Sequence, residues 1–517
     1  MLRRTGVGVV GALAWVASAG ACSSDPASQA SDAGGADSAA SCDPQKDVTC
    51  ISEEKGFFVK AGSQGGDGTR AKPFAKIQEG IDAATAAKFR VYVCEGDYAE
   101  TVSIKKTVGV YGGLTGCDTT TWTPTVGRVS KVKAAAGYAL DASAGSIELT
   151  NLSFTAPDFT GQTETTEGTA GKSSIAAFIH SGADVQAKRT SFVAQGGGNA
   201  KATMDSGANA TDAASGNGGG TGDSTAGGAG GTSTCGAAGG KGGKGNDNMP
   251  ASQSTAGLPL ATAGKRGCNG ALENGAGACN GGNTCGIGDS GLGGAVAQEP
   301  PESKVASLSA YGLAPLAGAQ GASGKAGNGG GGGGGAFAAP NSGGGGGAGG
   351  CGGAGGKGGA GGGASIAILV HDAQLGAADS AQALPGKAGN GGQGQKAQNG
   401  GRGRGMANGS SGCSGAYGGG GAGGQSGQGG AAGIAAGIVW GGTAKVVWRG
   451  VAVAGATTAS LDGVVLKDAQ NGQPGPTNDT PVSGGTSAAG ASENMGAPGV
   501  AGAVGASLPA PVAALQL

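Results

Sequence analysis

Histidine occurs only twice in the 517 residues, aromatic side chains make up 4% and charged side chains 13%. So few aromatics exclude the large packed core of a conventional enzyme of this length, and so little charge excludes a solvated polyelectrolyte. The 33 basic and 34 acidic residues nearly cancel. No basic stripe with interleaved aromatics occurs, so nucleic acid is not an expected partner. No two cysteines have C-x2-C spacing and histidine is scarce, which leaves no metal site to expect. Long apolar runs are missing too. Val7 to Val16 is mostly apolar but is broken by Gly8 and Gly11, short of the about 20 residues that cross a bilayer.

What the chain has instead is glycine, 122 residues of it, more than three times ordinary usage. It also has an informative start. A basic opening, Met1-Leu2-Arg3-Arg4, precedes the apolar run, and Ala19-Gly20-Ala21 stand directly before Cys22, the layout of an export signal with its cleavage site. This resembles the lipobox of bacterial lipoproteins, with Ala19 where that family usually has leucine. The resemblance implies removal of residues 1–21, lipidation of Cys22 and attachment to the bacterial envelope, at the outer membrane and cell surface. Setting Cys22 aside leaves an even set of disulfide candidates: Cys42, Cys50, Cys94, Cys117, Cys235, Cys268, Cys279, Cys285, Cys351 and Cys413. An even number suits an exported, oxidised protein, and its connectivity is open. Residues 22–41 have the Ser/Ala/Asp composition of a disordered tether.

Foldable sequence begins at Cys42. Phe57-Phe58-Val59 reads as a strand and Gly65-Gly66-Asp67-Gly68 as a turn. Pro73 opens a helical pattern in which Ile77, Ile81 and Ala84 share one face. The period then falls to two in Arg90–Cys94, Thr101–Ile104 and Val108–Tyr111. In this order DGT-x3-PF-x2-IQ-x2-ID-x-A, VYV-x-EG-x-Y-x-ETV-x-I and V-x-VYGG resemble the opening of right-handed parallel β-helix proteins of the pectin-lyase-like class, in particular a family of unknown activity in bacterial surface lipoproteins. The resemblance spans roughly residues 56–125. It implies a helix that plugs the N-terminal end, strands that form the first coils, and a disulfide between Cys94 and Cys117, with Trp122 at a position that is often aromatic.

Independently, short strands of period two recur to residue 195 at solenoid-like intervals, among them Val129–Val132, Ser146–Leu149, Ile175–Ile179 and Ser191–Val193. Glycine-rich tracts then fill about 196–300, 317–363 and 385–433. Between them lie apolar islands at Val305–Leu316, Ser365–Val370, Ile434–Trp440, Val446–Val453 and Leu461–Leu466. Ser174-IAAFIH-Ser181 and Ser365-IAILVH-Asp372 align without a gap, which puts His180 and His371 at one repeat position. The expected fold is therefore all-β, a right-handed parallel β-helix with a short capping helix and long glycine-rich arms. Regular coils occupy 42–195, coils carrying the insertions 196–469, and a Gly/Ala/Pro-rich tail 470–517.

The two histidines follow apolar strands where a coil turns, beside no acidic cluster, and read as turn residues. The N-T-D, D-D, G-H-G and R-I-K segments of polygalacturonase-like enzymes are missing, and Asp141, Asp158, Asp184, Asp372, Asp462 and Asp468 fall one to a coil, so paired carboxylates are not expected. The glycine is in register: Ala348, Cys351, Ala354, Lys357, Ala360 and Gly363 each follow two glycines. A period of three is that of the polyproline-II-type helix, and the expectation is arms that pack side by side, pinned by cysteines. The functional expectation is a non-catalytic surface lipoprotein without cofactor, structural, adhesive or matrix-contacting, its partners the membrane through the lipid and extracellular polysaccharide or other surface proteins. A carbohydrate-binding or polysaccharide-degrading β-helix is the alternative.

Overall fold

Strands of alternating burial need one covered face, and this chain covers it by returning repeatedly to the same three sheets. The computed structural model describes residues 42–203, 213–221, 226–243, 290–295, 298–334, 342–408, 413–476, 482–487 and 495–517, with the backbone of 267–268 and 271–272. By internal contacts the chain divides into Met1–Asp43 and Pro44–Leu517, and the architecture below is that of the second unit. It is all-β, with one α-helix among the described residues.

Sheet A runs, in spatial order, through Gly56–Val59, Arg90–Cys94, Val108–Thr115, Ser146–Thr150, Asp184–Lys188, Gln374–Ala378 and Lys445–Trp448, each parallel to the next. Sheet B holds Gly96–Tyr98, Ser130–Lys133, Leu152–Thr155, Ser191–Val193 and Gln382–Leu384. Sheet C holds Val102–Ile104, Leu140–Ala142, Ser174–His180, Ser365–His371, Ala435–Gly441 and Val512–Gln516. From Arg90 the chain visits A, B and C in rotation. Inward residues stack rung upon rung into one core: Ile147, Val185, Leu375 and Val446 are register partners in A, and Val132, Phe154, Phe192 and Ala383 in B. The Phe154 and Phe192 rings stack at 5.8 Å. Outward residues alternate with them, as in Asp184, Gln186 and Lys188.

The strands Ser174–His180 and Ser365–His371 pair in the register of the sequence alignment, His180 opposite His371. Other islands behave differently from expectation. Ala306–Ser309 and Gly312–Pro315 form an antiparallel hairpin outside the three sheets, because Gly312 turns at φ 112° and the hairpin's apolar side packs over the outer face of sheet C, where Phe178, Leu369, Val439 and Leu515 form a second buried cluster. Leu461–Leu466 forms no extended strand of sheet B: Val464 bridges to Ala383, and Leu461 and Val464 pack against the core. The Gly/Ala/Pro-rich tail ends in a strand of sheet C, since Val512–Gln516 offers an apolar run, Val512 to Leu515, that is buried where it pairs with Ala435–Gly441. The helix covers Ile77–Ala83, four residues beyond Pro73, because Phe74 is held in a bridge to Val59. The Glu100 carboxylate accepts from the amides of Ile77 (2.8 Å) and Gln78 (3.0 Å), satisfying donors the helix start leaves open.

The glycine tracts are ordered by hydrogen bonds between chains. Three consecutive amides serve three different neighbours: Gly345 donates to Gly220 O, Gly346 to Gly240 O and Gly347 to Ala416 O. The same neighbours recur three residues on, with Ala348 donating to Asn217, Gly349 to Ala237 and Gly350 to Gly419. A donor direction that rotates by a third of a turn per residue is that of an extended three-residue helix. Segment 343–363 lies parallel to 413–433 and antiparallel to 317–334 and 389–408, as shown by the bonds Gly356 N to Gln425 O, Gly321 N to Gly356 O and Gln395 N to Lys357 O. Because most amides of 343–363 donate to a neighbouring segment, proline, which has none, suits the interior of this sheaf poorly. The chains approach so closely that a Cβ at Gly353 or Gly356 would lie 2.0 Å from the carbonyl oxygen of Gln398 or Gln395. The third position of the triplet has room for a side chain at Ala348, Cys351, Ala354, Lys357 and Ala360, and Lys357 is exposed there.

At several positions a glutamine side chain takes the place of a backbone acceptor. Cys351 N donates to the backbone of Ala214, but the next two amides of that class, Ala354 and Lys357, donate to the Oε1 atoms of Gln398 (3.1 Å) and Gln395 (3.2 Å). Gln425 and Gln428 do the same for Ala322 and Ala319. Cys351, in the free position of its triplet, is joined to Cys235, and Cys94 is joined to Cys117. Cys42, Cys50 and Cys413 are also in disulfides. Cys22 and the side chains of Cys268, Cys279 and Cys285 lie outside the described residues.

Candidate functional site

The histidines come first, because the register brings them together. Strands of sheet C end at His180 and His371, and the residues that follow, Ser181 and Asp372, take left-handed backbone angles (φ 53° and 50°) to enter sheet A. His180 Nε2 lies 2.9 Å from Asp141 Oδ1 on the preceding rung and Nδ1 lies 2.9 Å from Ser181 Oγ, while Phe178 stacks on the ring at 4.2 Å. The order Asp–His–Ser is that of a nucleophile relay. The amides that would have to stabilise an oxyanion there are engaged, however: Gly182 N bonds Asp372 O at 2.7 Å and Ala183 N bonds His180 O at 3.2 Å. His371 Nδ1 lies 3.2 Å from Asp372 Oδ2, in a direction that makes no hydrogen bond. Asp372 Oδ1 accepts from the Thr443 amide (2.7 Å) and hydroxyl (3.1 Å), which hold its carboxyl below the ordinary value. His180 thus ties its rung to the preceding one at the turn from C to A, and beside His371 it is Asp372 that reaches the next rung.

Polar side chains at the turn from A to B are spent in the same way. Asn151, Arg189, Asp379 and Arg449 occupy left-handed positions. Arg189 bridges the rungs, donating to Asn151 Oδ1 at 2.9 Å and lying 3.4 Å from Asp379 Oδ2.

The outer face of sheet A differs along its length. Over its first strands the face is apolar and covered, with Phe58, Tyr92, Leu114 and Trp122 buried beneath Cys50 and Ile51. Next comes a closed polar group, in which Glu148 accepts from Tyr111 Oη at 2.7 Å and Lys188 Nζ at 3.1 Å. Burial, then the Glu148 charge, pushes the Tyr111 phenol up. Beyond that group the face opens into a shallow groove of about 470 Å³ lined by Gln186, Gln374, Gly376, Ala378, Lys445 and Val447. Register places Gln186, Gly376 and Val447 in one rank, and Asp184, Gln374 and Lys445 in the next. Gln186 Nε2 donates to Asp184 Oδ1 at 2.9 Å, and its Oε1 lies across the rung at Gly376, where a Cβ would come within 2.1 Å of it.

Sequence reasoning singled out the histidines and the scattered aspartates and missed this groove. Glutamine and lysine on a solvated strand face carry no signal of their own, and the residues come from strands separated by long glycine tracts. Among the described residues no group of three or more His, Cys, Asp or Glu could hold a metal ion, and no helix is long and apolar enough to cross a membrane. No protein-family model, no curated protein and no solved structure matches the chain.

Proposed function

We propose that this protein is a non-catalytic lipoprotein of the bacterial cell surface, anchored through Cys22, in which a right-handed parallel β-helix plugged by Ile77–Ala83 carries glycine-rich arms as a structural, adhesive or matrix-contacting element. The observation that carries the reading is the hydrogen-bonded glycine sheaf. Ordering backbone costs about 1–2 kcal/mol per residue, and glycine loses the most. Here that cost is offset by bonds to several neighbouring chains at once, which gives a stiff body with short side chains, suited to spacing and presenting surfaces. The rotation of the chain through sheets A, B and C supports the β-helix, as does the family-like opening. Disulfides at Cys94–Cys117 and Cys235–Cys351 support an oxidising compartment.

The alternative of a carbohydrate-active β-helix is favoured by the groove only in its binding form. Hydrolysis calls for two available carboxylates, and the acids bordering the groove are engaged, Glu148 by Tyr111 and Lys188 and Asp184 by Gln186. Protease shaving of intact cells, with mass spectrometry of the N-terminal peptide, tests the proposal. Peptides released from the 42–517 region together with a lipid-modified Cys22 are the expected result. An unmodified N-terminus on a protein that shaving leaves untouched would remove it.

A further inference from the structure

At the end of sheet A away from the groove, Lys60 directly follows the first strand, Gly56–Val59, and lines a cavity of about 250 Å³ with Gln64, Arg70, Lys72, Asp118 and Thr120. Three cations there meet one carboxylate, Asp118, which is paired with Lys60. The Arg70 guanidinium is held in place: it donates to Ile51 O, Nη1 lies 3.5 Å from Thr120 O, and the group sits 5.0 Å over the Phe58 ring. Neighbouring acids are spent on backbone and hydroxyl groups. Glu53 accepts from the Arg70 amide at 2.8 Å, and the Asp67 carboxylate accepts from the Thr69 amide (3.1 Å) and hydroxyl (2.7 Å). Among the described residues the side chains of Gln64, Lys72 and Thr120 make no hydrogen bond or ion pair. One wall is the loop between Gly116 and Trp122, in which Thr120 and Trp122 take left-handed backbone angles (φ 63° and 44°). A β-branched or bulky residue keeps that conformation only where its surroundings impose it.

We propose that this cavity binds a phosphate ester, with the Arg70 guanidinium and the Lys60 and Lys72 ammonium groups around the phosphate and Gln64 and Thr120 on its remaining oxygens. Charge selects an anion, because three cations against one carboxylate leave the lining positive. Donor chemistry selects one rich in oxygens: a guanidinium has five N–H groups and an ammonium three, so most remain available beside the bonds already made. A flat carboxylate would satisfy one wall, whereas a tetrahedral phosphate presents oxygens to Arg70 and to the lysines at once. The cavity is also larger than a bare phosphate, which leaves room for the ester substituent. Two sources share this chemistry, the headgroup of an anionic lipid and a free phosphate ester. The lipid source rests on anchoring through Cys22, from which residues 22–41 can reach at most about 70 Å. The site itself does not rest on it.

The test is lysine acylation read by mass spectrometry on the full lipidated chain. It is run in phosphatidylcholine vesicles, in vesicles with about 30% phosphatidylglycerol, and in phosphatidylcholine vesicles with about 10 mM glycerol phosphate. Lys60 and Lys72 should be protected about fivefold in at least one anionic arm, while Lys76 and Lys88, exposed close by in the chain, are labelled as before. Protection with phosphatidylglycerol alone assigns the lipid, and protection by glycerol phosphate assigns the free ester. Lys72→Gln should abolish the protection of Lys60. Asp118→Asn removes the cavity's carboxylate and should deepen protection about fivefold, a gain that a misfolded variant could not give. Near-ultraviolet circular dichroism identical to wild type verifies that both variants are folded. Two results would overturn the proposal: Lys60 and Lys72 labelled equally in all three arms, or Lys76 and Lys88 protected to the same extent, which would mean a surface covered as a whole. A chain that does not float with the vesicles would remove the anchoring through Cys22, while the glycerol phosphate arm would still read the cavity, so the two failures are distinguishable.

Discussion

Replacing Gly356 by alanine tests the glycine sheaf directly. The new Cβ would lie 2.0 Å from Gln395 O and 2.7 Å from Gly427 N, both backbone atoms of flanking chains, so the chains must part. Overpacking of this kind costs about 1–3 kcal/mol. Parting them strains the bonds Gly356 N to Gln425 O (3.0 Å) and Gly321 N to Gly356 O (2.8 Å), each contributing about 0.5–1.5 kcal/mol. The lower entropy of alanine in the unfolded chain returns about 0.4–1 kcal/mol. The net expectation is a loss of about 2–4 kcal/mol. Lys357→Ala, one residue on at the free position of the triplet, is the control and stays within about 0.5 kcal/mol of wild type. Urea unfolding with hydrogen-exchange mass spectrometry reads both. Wild type should protect 343–363 and 389–408, and Gly356→Ala should lose that protection while sheets A, B and C keep theirs. If Gly356→Ala unfolds at the wild-type midpoint with its amides still protected, the close approach of chains is wrong.

Other perturbations follow from the same geometry. Gln398→Ala removes the acceptor of the Ala354 amide and should cost about 1–3 kcal/mol, with faster exchange at Ala354 than at Gly353, whose acceptor is the backbone of Ala422. Phe192→Ala empties a fully buried site against Phe154 and should cost about 3–5 kcal/mol in chemical denaturation. Replacing Cys235 and Cys351 together by serine opens a link across 116 residues and should cost about 2–5 kcal/mol, seen as a lower melting temperature that reductant no longer shifts as far. Glu100 is held above its ordinary value of 4.5 by burial, against the pull of the Gln78 and Ile77 amides. Its folded form therefore binds the proton more tightly than the unfolded chain does, so its contribution is full below about 4.5 and is lost as pH rises through the folded value. Glu100→Gln should flatten that part of the stability–pH curve, and a curve of unchanged slope would contradict the assignment.

Much of the architecture was legible because it repeats. The gapless match of 174–181 to 365–372 gave a register that the pairing of His180 with His371 reproduces, and the spacing of Ala348, Cys351, Ala354 and Lys357 announced a helix of three residues per turn. What the sequence could not say was which glycine chain lies beside which, since identical triplets carry no pairing information. That choice rests on Gln395, Gln398, Gln425 and Gln428, whose side-chain bonds become meaningful only once neighbours are known. The strand Val512–Gln516 was hidden by the composition of the tail before it. The hairpin at 306–315 was mistaken for a coil because both show two-residue alternation, and its turn at Gly312 was the available clue. The groove was illegible for a different reason: Gln186, Gln374 and Lys445 are ordinary surface residues until two long excursions return the chain to the same sheet.

The sheaf also constrains how such a protein can change length. Each residue turns the donor direction by a third of a revolution, so inserting or deleting one residue within 343–363 would hand every later amide to the wrong neighbour and swing Lys357 into a backbone contact. Three residues, added or removed, restore the phase and merely lengthen or shorten an arm by one turn. A glutamine side chain can stand in for a backbone acceptor, as those of Gln398 and Gln395 do for the amides of Ala354 and Lys357. The arms are thus built to grow in whole triplets, so their reach can be reset without redesigning the sheets that carry them.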